Sequence, residues 1–313
     1  MKPKSLILVG GPTASGKSST ALVLADRFKG TIVNADSMQV YEDLQILTAR
    51  PDDQALAQVP HELYGVFTMD ERCSAGEWCR RALSSITAAH DAGRVPIVVG
   101  GTGLYLHALT NGLHSVPSVP RHIREDLNAR LRAHGVSTLY TELLAVDPET
   151  ASRLKPTDGQ RIVRALEVFI HTGKSLSQWQ TGERGSKPVG LRIFTLLTMP
   201  KRDILYANIN ARFERMVQRG AIEEVENFLA QNPSEDSPLM KVVGVSPISA
   251  FLNNEIDRCS LFELGKRDTR QYAKRQSTWF RNKFVPNFTI ETQYSEKNKR
   301  EIFSKISTFL LTD

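Results

Sequence analysis

Four short apolar runs along the chain end in glycine or in a polar residue, a pattern typical of buried parallel strands. The runs are SLILVGG (5–11), GTIVNADS (30–37), RVPIVVGG (94–101) and LRIFTLLTM (191–199), and we expect the second strand to end at Asp36. Helical spacing of apolar residues occupies 17–29, after the first run, and 76–93, before the third. Because strands alternate with helices, the pattern predicts an α/β fold with a doubly wound parallel sheet.

Between residue 114 and about residue 187 the chain shows only helical spacing. Two prolines in LHSVPSVPRHIRED (113–126) open this stretch, and helices are predicted in RHIREDLNARLRAHG (121–135) and DGQRIVRALEVFIHTGKS (158–175). The glycine-rich segment TGERGSKPVG (181–190) predicts a mobile loop. We therefore predict an inserted all-helical domain, 114–187, within an α/β core formed by 1–113 and 188–313.

A glycine-rich turn, GPTASGKS (11–18), joins the first predicted strand to the first predicted helix and fits G-x-x-x-x-G-K-[ST]. Glycines let backbone N–H groups turn toward an anion, and a helix N-terminus adds partial positive charge. Lys17 supplies a compact cation, and the Ser18 hydroxyl is a ligand for Mg²⁺. Taken alone, the turn predicts binding of nucleotide phosphates such as those of ATP by Gly11, Pro12, Thr13, Ala14, Ser15, Gly16, Lys17 and Ser18.

The candidate acidic residue of the site follows a different strand from the one that carries the metal-holding Asp in a nucleoside triphosphatase. The third strand ends in VVGGTG, without the metal-holding Asp of such enzymes, whereas Asp36 follows the second strand. Open α/β sheets bind ligands at the carboxyl ends of their strands. We therefore expect Asp36 and Thr102 to project toward the glycine-rich turn 11–18, which we call the P-loop. A carboxylate there is a metal ligand or a proton acceptor, or else it caps the next helix.

Charge favours an acidic partner, because the 313-residue chain has a net charge of +6. In segment 263–284, four cations share one predicted helix face and aromatic residues are interleaved, which suits RNA contact or a solvated amphipathic helix. These residues are Arg267, Arg270, Lys274 and Arg281, with Tyr272, Trp279 and Phe280. Two smaller polar sets are Gln160, Arg161 and Arg164, and Arg212, Arg215 and Arg219.

The three cysteines, Cys73, Cys79 and Cys259, form no CxxC pair and no zinc-type cluster. They predict free thiols in a reducing compartment. The N-terminal apolar run of about five residues is too short for a signal peptide or a membrane span, and no other run approaches the required length of about 20 residues. We expect a cytoplasmic protein that does not enter membranes.

Six motifs together resemble the tRNA dimethylallyltransferases, also called tRNA isopentenyltransferases. They are GPTASGKS (11–18), NADSMQVY (34–41), VGGTGLYL (99–106), DGQRIVRALEVF (158–169), INARFERMVQRG (209–220) and TRQYAKRQSTWFRNK (269–283). The resemblance implies transfer of a dimethylallyl group from its diphosphate to N6 of adenosine 37 beside the anticodon of tRNA. It also implies a P-loop-kinase-like core, an inserted helical domain that clasps the anticodon stem-loop, and a target adenine extruded from its stack.

The same resemblance implies the roles of individual residues. The P-loop residues hold the diphosphate and Mg²⁺, and the catalytic residues are Asp36, Thr102, Lys17 and Arg212. Asp36 accepts the N6 proton, Arg212 stabilises the leaving group, and Thr102 bonds near the reacting centre. The implied tRNA contacts are Asp36, Ser37, Met38, Gln39, Thr102, Arg124, Gln160, Arg161, Ile162, Val163, Arg164, Lys241, Gly244, Arg270, Lys274 and Arg275. We expect a monomer.

One segment departs from the family pattern. Where the family has R-x-V-G-Y-R-Q, this chain has KVVGVSP (241–247), so Val245, Ser246 and Pro247 replace Tyr-Arg-Gln. The missing arginine removes one expected phosphate contact, and proline within a helix lacks an N–H. We predict weaker or altered tRNA affinity with intact chemistry.

Three alternatives stay open at this point. A P-loop small-molecule kinase would share the glycine-rich turn 11–18 but not the helical insertion or the basic helix. An adenylate isopentenyltransferase would share the chemistry but use free AMP. A nucleotide-gated RNA-binding protein would need no carboxylate beside the glycine-rich turn.

Overall fold

The computed structural model describes residues 4–181, 190–291 and 296–312. The chain forms two compact units: the core unit, Met1–Leu109 with Pro188–Asp313, and the helical unit, Thr110–Lys187. The first boundary lies after Leu109, within helix α5 (Gly103–Asn111), rather than after residue 113. Most of the predicted loop at 181–190 lies outside the described residues.

The core unit is built on a six-stranded parallel sheet, which confirms the predicted fold class. Its order is β3-β2-β4-β1-β5-β6, and the strands are β1 (Lys4–Gly10), β2 (Gly30–Asn34), β3 (His61–Glu62), β4 (Val95–Gly100), β5 (Leu191–Thr198) and β6 (Phe288–Ile290). The two edge strands were not predicted. Strand β2 ends at Asn34 rather than Asp36, because the Asn34 side chain accepts the Asp36 N–H and turns the chain away.

Helices flank the sheet in the core unit, and a separate set of helices makes up the helical unit. Before the insertion they are α1 (Lys17–Arg27), α2 (Gln45–Thr48), α3 (Asp53–Gln58), α4 (Ala75–Asp91) and α5. The helical unit contains α6 (Arg121–Val146, kinked at Gly135), α7 (Pro148–Arg153), α8 (Gly159–Thr172) and α9 (Leu176–Gln180). After it come α10 (Arg202–Gln218), α11 (Ala221–Ala230), a 3₁₀ turn (Pro238–Lys241), α12 (Val245–Leu252), α13 (Arg258–Lys283) and α14 (Glu296–Leu311).

Alternate residues of β1 pack into two different apolar clusters of the core unit. Leu6 and Leu8 join one cluster, whereas Ile7 and Val9 join the other. Since successive side chains of a strand point to opposite faces, both faces of the sheet are covered, as an uninterrupted apolar run requires. No helix among the described residues is long and apolar enough to cross a membrane.

Helix α13 packs beside the carboxyl end of the sheet. A Cβ atom at Gly10 would lie 2.6 Å from Phe280 Cε1, and one at Gly103 would overlap the Trp279 ring, so glycine is needed at both contacts. Phe280 is fully buried. The expectation that the Phe280 ring supports RNA is therefore wrong. The Trp279 ring packs on Gly103 but is only half-buried, and its expected RNA contact stays a prediction. All three cysteines are free, as predicted.

Pro247 lies in the first turn of α12, which begins at Val245. Amides in the first turn of a helix have no intrahelical acceptor, so the proline removes no hydrogen bond there. Gly244 precedes the helix with φ 107°, a backbone conformation that favours glycine, and is itself buried. The departure from the family pattern therefore fits the fold.

Candidate active site

The P-loop connects β1 to α1 at the carboxyl end of the sheet. Gly16 immediately precedes α1 with φ 89°, and Ala14 has φ 60°. Helix α1 begins at Lys17, so the amides of Lys17 and Ser18 fall in its first turn, where the helix offers them no acceptor. The loop thus presents free N–H groups and the positive end of a helix at one place.

Side chains from distant parts of the core unit hold this loop in shape. Gln276 of α13, only 7 % exposed, accepts the Thr13 N–H at 2.8 Å and donates to the Gly101 carbonyl at 3.0 Å. The Ser15 and Thr198 hydroxyl oxygens lie 2.6 Å apart. Gln276 was missed from the sequence, although it is the one uncharged polar residue inside the basic stretch AKRQ (273–276).

Two cations lie at the loop. Lys17 donates to the Pro12 carbonyl at 3.2 Å, and burial lowers its pKa from 10.5 to about 8, with Asp36 opposing that shift and Arg212 adding to it. Burial also lowers the pKa of Arg212, which lines the same cavity. Neither side chain forms an ion pair within the described chain. Two neighbouring cations that form no ion pair favour binding of a multiply charged anion.

The lowered pKa of Lys17 predicts a pH dependence of anion binding. Below pH 8 the ammonium is protonated and affinity for a diphosphate is at its plateau; above pH 8 affinity falls by up to about tenfold per pH unit, because binding must then take up a proton. Calorimetric titration with dimethylallyl diphosphate from pH 6.5 to 9.5 measures this. Lys17→Arg should abolish the dependence, since arginine stays protonated. A flat wild-type profile would contradict the assignment.

Asp36 lies just beyond β2 and lines the cavity with Lys17. Its Oδ1 accepts the Met38 N–H at 3.0 Å, and no partner of Oδ2 is found in the described part of the chain. The capping interpretation therefore accounts for one carboxylate oxygen, in a turn rather than a helix. The other oxygen is available for a ligand, which the capping role alone does not explain.

Thr102 acts on this turn from behind. Its Oγ1 accepts the Ser37 N–H at 2.9 Å and donates to the Ser37 hydroxyl at 3.2 Å. It is not among the described residues that line the cavity. Both described side-chain bonds of Thr102 are made to Ser37, so it positions the turn that carries Asp36; its expected orientation toward the P-loop stays a prediction.

The cavity itself has a volume of about 240 Å³ and lies within the core unit. The predicted site residues that line it are Thr13, Lys17, Ser18, Asp36, Ser37, Met38, Gln39, Arg212, Lys241 and Arg275. The other P-loop residues, Gly11, Pro12, Ala14, Ser15 and Gly16, build the loop that carries Thr13, Lys17 and Ser18. Tyr272, one of the aromatic residues singled out in the basic helix, also lines the cavity, whereas sequence reasoning missed Leu47, Thr48, Ala49, Ile209, Phe213, Met216, Val242, Val243 and Thr269.

Other predicted contacts of the core unit lie outside the cavity lining. Arg270 donates to Asn210 Oδ1 at 2.8 Å, and Lys274 is exposed. Gly244 is buried against Leu47, so it offers no surface to a ligand. Its role is to admit the turn before α12.

In the helical unit, the predicted contacts divide into exposed and buried residues. Gln160 and Arg161 are exposed, and Arg161 pairs with Asp158 at 2.8 Å. Ile162 and Val163 are buried in the unit's apolar core, which excludes their side chains as RNA contacts. Arg124 and Arg164 both pair with a buried carboxylate, that of Glu167, yet remain partly exposed.

The carboxyl end of a parallel sheet, a P-loop with two cations and a carboxylate aimed into the same cavity define an α/β protein of the P-loop class. The model of one family, described as IPP transferase, matches residues 39–283. A tRNA dimethylallyltransferase of Rhodospirillum centenum is 49 % identical over 282 residues, covering 90 % of each chain. The chain belongs to the IPP transferase family, which confirms the resemblance found in the sequence.

Solved structures agree with this assignment. A tRNA isopentenylpyrophosphate transferase from Bacillus halodurans is 32 % identical, with a TM-score of 0.68 over 98 % of this chain and 96 % of that one. A eukaryotic dimethylallyltransferase acting on tRNA is 26 % identical, with a TM-score of 0.80 over 98 % of this chain and 79 % of that one. Both cover the core and helical units alike, so neither unit is peculiar to this chain.

Proposed function

We propose that the protein transfers a dimethylallyl group from dimethylallyl diphosphate to N6 of adenosine 37 in tRNA, giving N6-(dimethylallyl)adenosine and diphosphate. The observation that carries the proposal is the combination of two unpaired cations, Lys17 and Arg212, with the Asp36 carboxylate in one partly apolar cavity. The names of the relatives support it. A kinase or a free-AMP transferase has no specific observation in its favour.

Diphosphate binding is assigned to the P-loop. The amides of Lys17 and Ser18 and the two cations lie on the side of the cavity formed by the loop and α10. As the bond from C1 to the diphosphate oxygen breaks, the leaving group gains charge, and the fixed cations stabilise it more strongly than they stabilise the bound substrate.

The bond changes balance without an added reactant. The N6 lone pair forms the bond to C1 of the prenyl group, and the C1–O bond pair leaves with the diphosphate. The N6 proton passes to Asp36, whose Oδ1 is fixed by the Met38 amide. Because the adenine nitrogen is a weak nucleophile, positioning and leaving-group stabilisation supply most of the rate and the base supplies the rest.

Magnesium fits the donors present. Mg²⁺ prefers oxygen ligands and binds to phosphates through one or two protein groups, and the exposed Ser18 hydroxyl lies in the same cavity as the Asp36 carboxylate. No group of three or more His, Cys, Asp or Glu suited to a metal occurs among the described residues, so a protein-only cage is not available. Ser18 would hold the ion, which would neutralise charge on the departing diphosphate.

tRNA binding is assigned to basic residues of both units. In the core unit these are Lys241, Arg270, Lys274 and Arg275, and in the helical unit Arg124, Arg161 and Arg164. Extrusion of adenine 37 would bring its N6 to Asp36. Free thiols support a reducing compartment, and we propose a cytoplasmic monomer.

Ser246→Arg tests the departure at 241–247. Ser246 is exposed in the first turn of α12, so the side chain fits there, whereas tyrosine at Val245, which is 1 % exposed, would overfill the core. We expect higher tRNA affinity and a salt slope steeper by about one, with unchanged turnover. Ser246→Gln is the uncharged control. Equal affinity of Ser246→Arg and wild type across a salt titration would remove this segment from RNA binding.

One assay tests the proposed function. Purified protein is incubated with dimethylallyl diphosphate, Mg²⁺ and an anticodon stem-loop, and nucleosides are analysed by mass. We expect the dimethylallyl mass increment on adenosine 37, none on a stem-loop with guanosine at that position, and little on AMP. ATP hydrolysis without prenyl transfer would favour a kinase, and efficient prenylation of AMP would favour the free-nucleotide enzyme.

A further inference from the structure

One face of helix α10 carries a cation among apolar side chains. Ile209, Arg212, Phe213 and Met216 are spaced by three or four residues, so they share that face, and all four line the cavity. A helix face of this kind suits a ligand with an anionic head and a short apolar tail. With the head of such a ligand at Arg212 and the P-loop, the apolar side chains of this face are left to contact its tail.

Two apolar side chains of the cavity are each seated on a glycine. A Cβ atom at Gly244 would lie 2.7 Å from Leu47 Cδ1, and one at Gly265 of α13 would overlap the Phe213 ring. Gly244 also needs its positive φ, but Gly265 lies within a regular helix, where glycine is disfavoured. The close approach of Phe213 explains glycine at position 265.

The Phe213 ring is held rather than mobile. It is 3 % exposed and packs edge-on against Phe262, with ring centroids 6.2 Å apart and an interplanar angle of 88°. With Gly265 behind it and Phe262 beside it, the ring has no space to withdraw from a longer ligand. Displacing a packed core side chain is costly, so a wall of this kind excludes extra carbons.

We propose that Phe213, seated on Gly265, forms the end wall of the prenyl site and limits the transferred chain to one five-carbon isoprene unit. Longer allylic diphosphates share the diphosphate and the reactive C1, so the P-loop and Asp36 do not distinguish them. Discrimination then falls to the apolar side chains. This inference rests on the proposed prenyl transfer, and it assigns the choice of donor length to Phe213.

Phe213→Leu and Phe213→Ala test the wall. The measured quantity is the ratio of kcat/KM for geranyl diphosphate to that for dimethylallyl diphosphate, with an anticodon stem-loop as acceptor and nucleoside mass as readout. We expect the ratio to rise by about tenfold or more, as for a few methylene groups admitted to an apolar pocket. Thermal unfolding identifies variants that fail to fold, and Phe213→Leu, the more conservative change, is then used alone.

A matched control and an opposite variant accompany these. Phe262→Leu removes the same atoms from the neighbouring ring, which is not among the described residues lining the cavity, and should raise the ratio less than Phe213→Leu does, because the Phe213 ring still lines the cavity. Gly265→Ala pushes the Phe213 ring toward the cavity and should raise KM for dimethylallyl diphosphate with little change in KM for the stem-loop.

The outcomes distinguish failure of the proposed function from failure of the proposed end wall. If wild type transfers no prenyl group from dimethylallyl diphosphate, the proposed function fails. If wild type transfers the five-carbon group but accepts geranyl diphosphate equally well, or if the Phe213 variants leave the ratio unchanged, the end wall is wrong while the function stands. A rise of the ratio in Phe262→Leu equal to that in Phe213→Leu would also overturn it, since general loosening would then explain both.

Discussion

Asp36→Ala is expected to lower turnover by about 100-fold or more while the protein still binds tRNA and dimethylallyl diphosphate, because a positioned general base contributes about 10²–10⁴-fold to rate. The carboxylate has two tasks in the structure: Oδ1 holds the turn through the Met38 N–H, and Oδ2 is left for the ligand. Alanine removes both tasks. Single-turnover kinetics at saturating substrates measure the chemical step apart from product release.

Asp36→Asn separates the two tasks. Its side-chain oxygen still accepts the Met38 N–H, so the turn is kept, but the amide takes up no proton. We expect Asp36→Asn to be nearly as slow as Asp36→Ala. Recovery of most of the wild-type rate in Asp36→Asn would mean that the residue shapes the turn and does not act as a base.

Lys17→Ala is expected to weaken binding of dimethylallyl diphosphate and to lower kcat/KM by about 10²–10³-fold, the scale of a lost charge-stabilising group in an active site. The side chain donates to the Pro12 carbonyl, and burial already lowers its pKa to about 8. Its loss leaves Arg212 as the remaining cation beside the loop. Calorimetry with dimethylallyl diphosphate and steady-state kinetics measure the two effects.

Lys241→Ala is the matched control for this variant. Lys241 lines the same cavity but is exposed and is assigned to RNA contact. Its removal should weaken stem-loop binding and leave diphosphate affinity near the wild-type value. If Lys17→Ala and Lys241→Ala weakened diphosphate binding equally, the general positive charge of the cavity, and not Lys17 in particular, would account for the binding.

The parts of the fold that could be predicted are those encoded in local patterns. The P-loop follows an apolar strand and opens a helix, so its position depends on neighbouring residues alone, and the four longer strands were visible as apolar runs. Strands β3 and β6 were missed because two or three residues at a sheet edge give no periodic signal. Their pairing is determined by the strands beside them.

The parts of the site that could not be predicted depend on contacts between distant residues. Gln276 and Arg275 are neighbours in the sequence, yet one is buried on the P-loop and the other lines the cavity. Phe280 was expected to support RNA contact, but it is fully buried where α13 packs against Gly10. Ile162 and Val163 lie beside the exposed Arg161 and belong to an apolar core. Helical spacing indicates a buried face without saying what covers it.

The bond between Gln276 and Thr13 joins residues 263 positions apart. During synthesis at about 5–20 residues per second, roughly 10–50 s separate the emergence of the P-loop from that of the glutamine. The edge of β1 that pairs with β5 also stays open until Leu191–Thr198 are made. The nascent N-terminal half therefore carries a complete phosphate-binding motif on an incomplete sheet, and the Gln276 bond to this motif forms only after the last part of the chain is made. The part of the site that is encoded first is thus completed last.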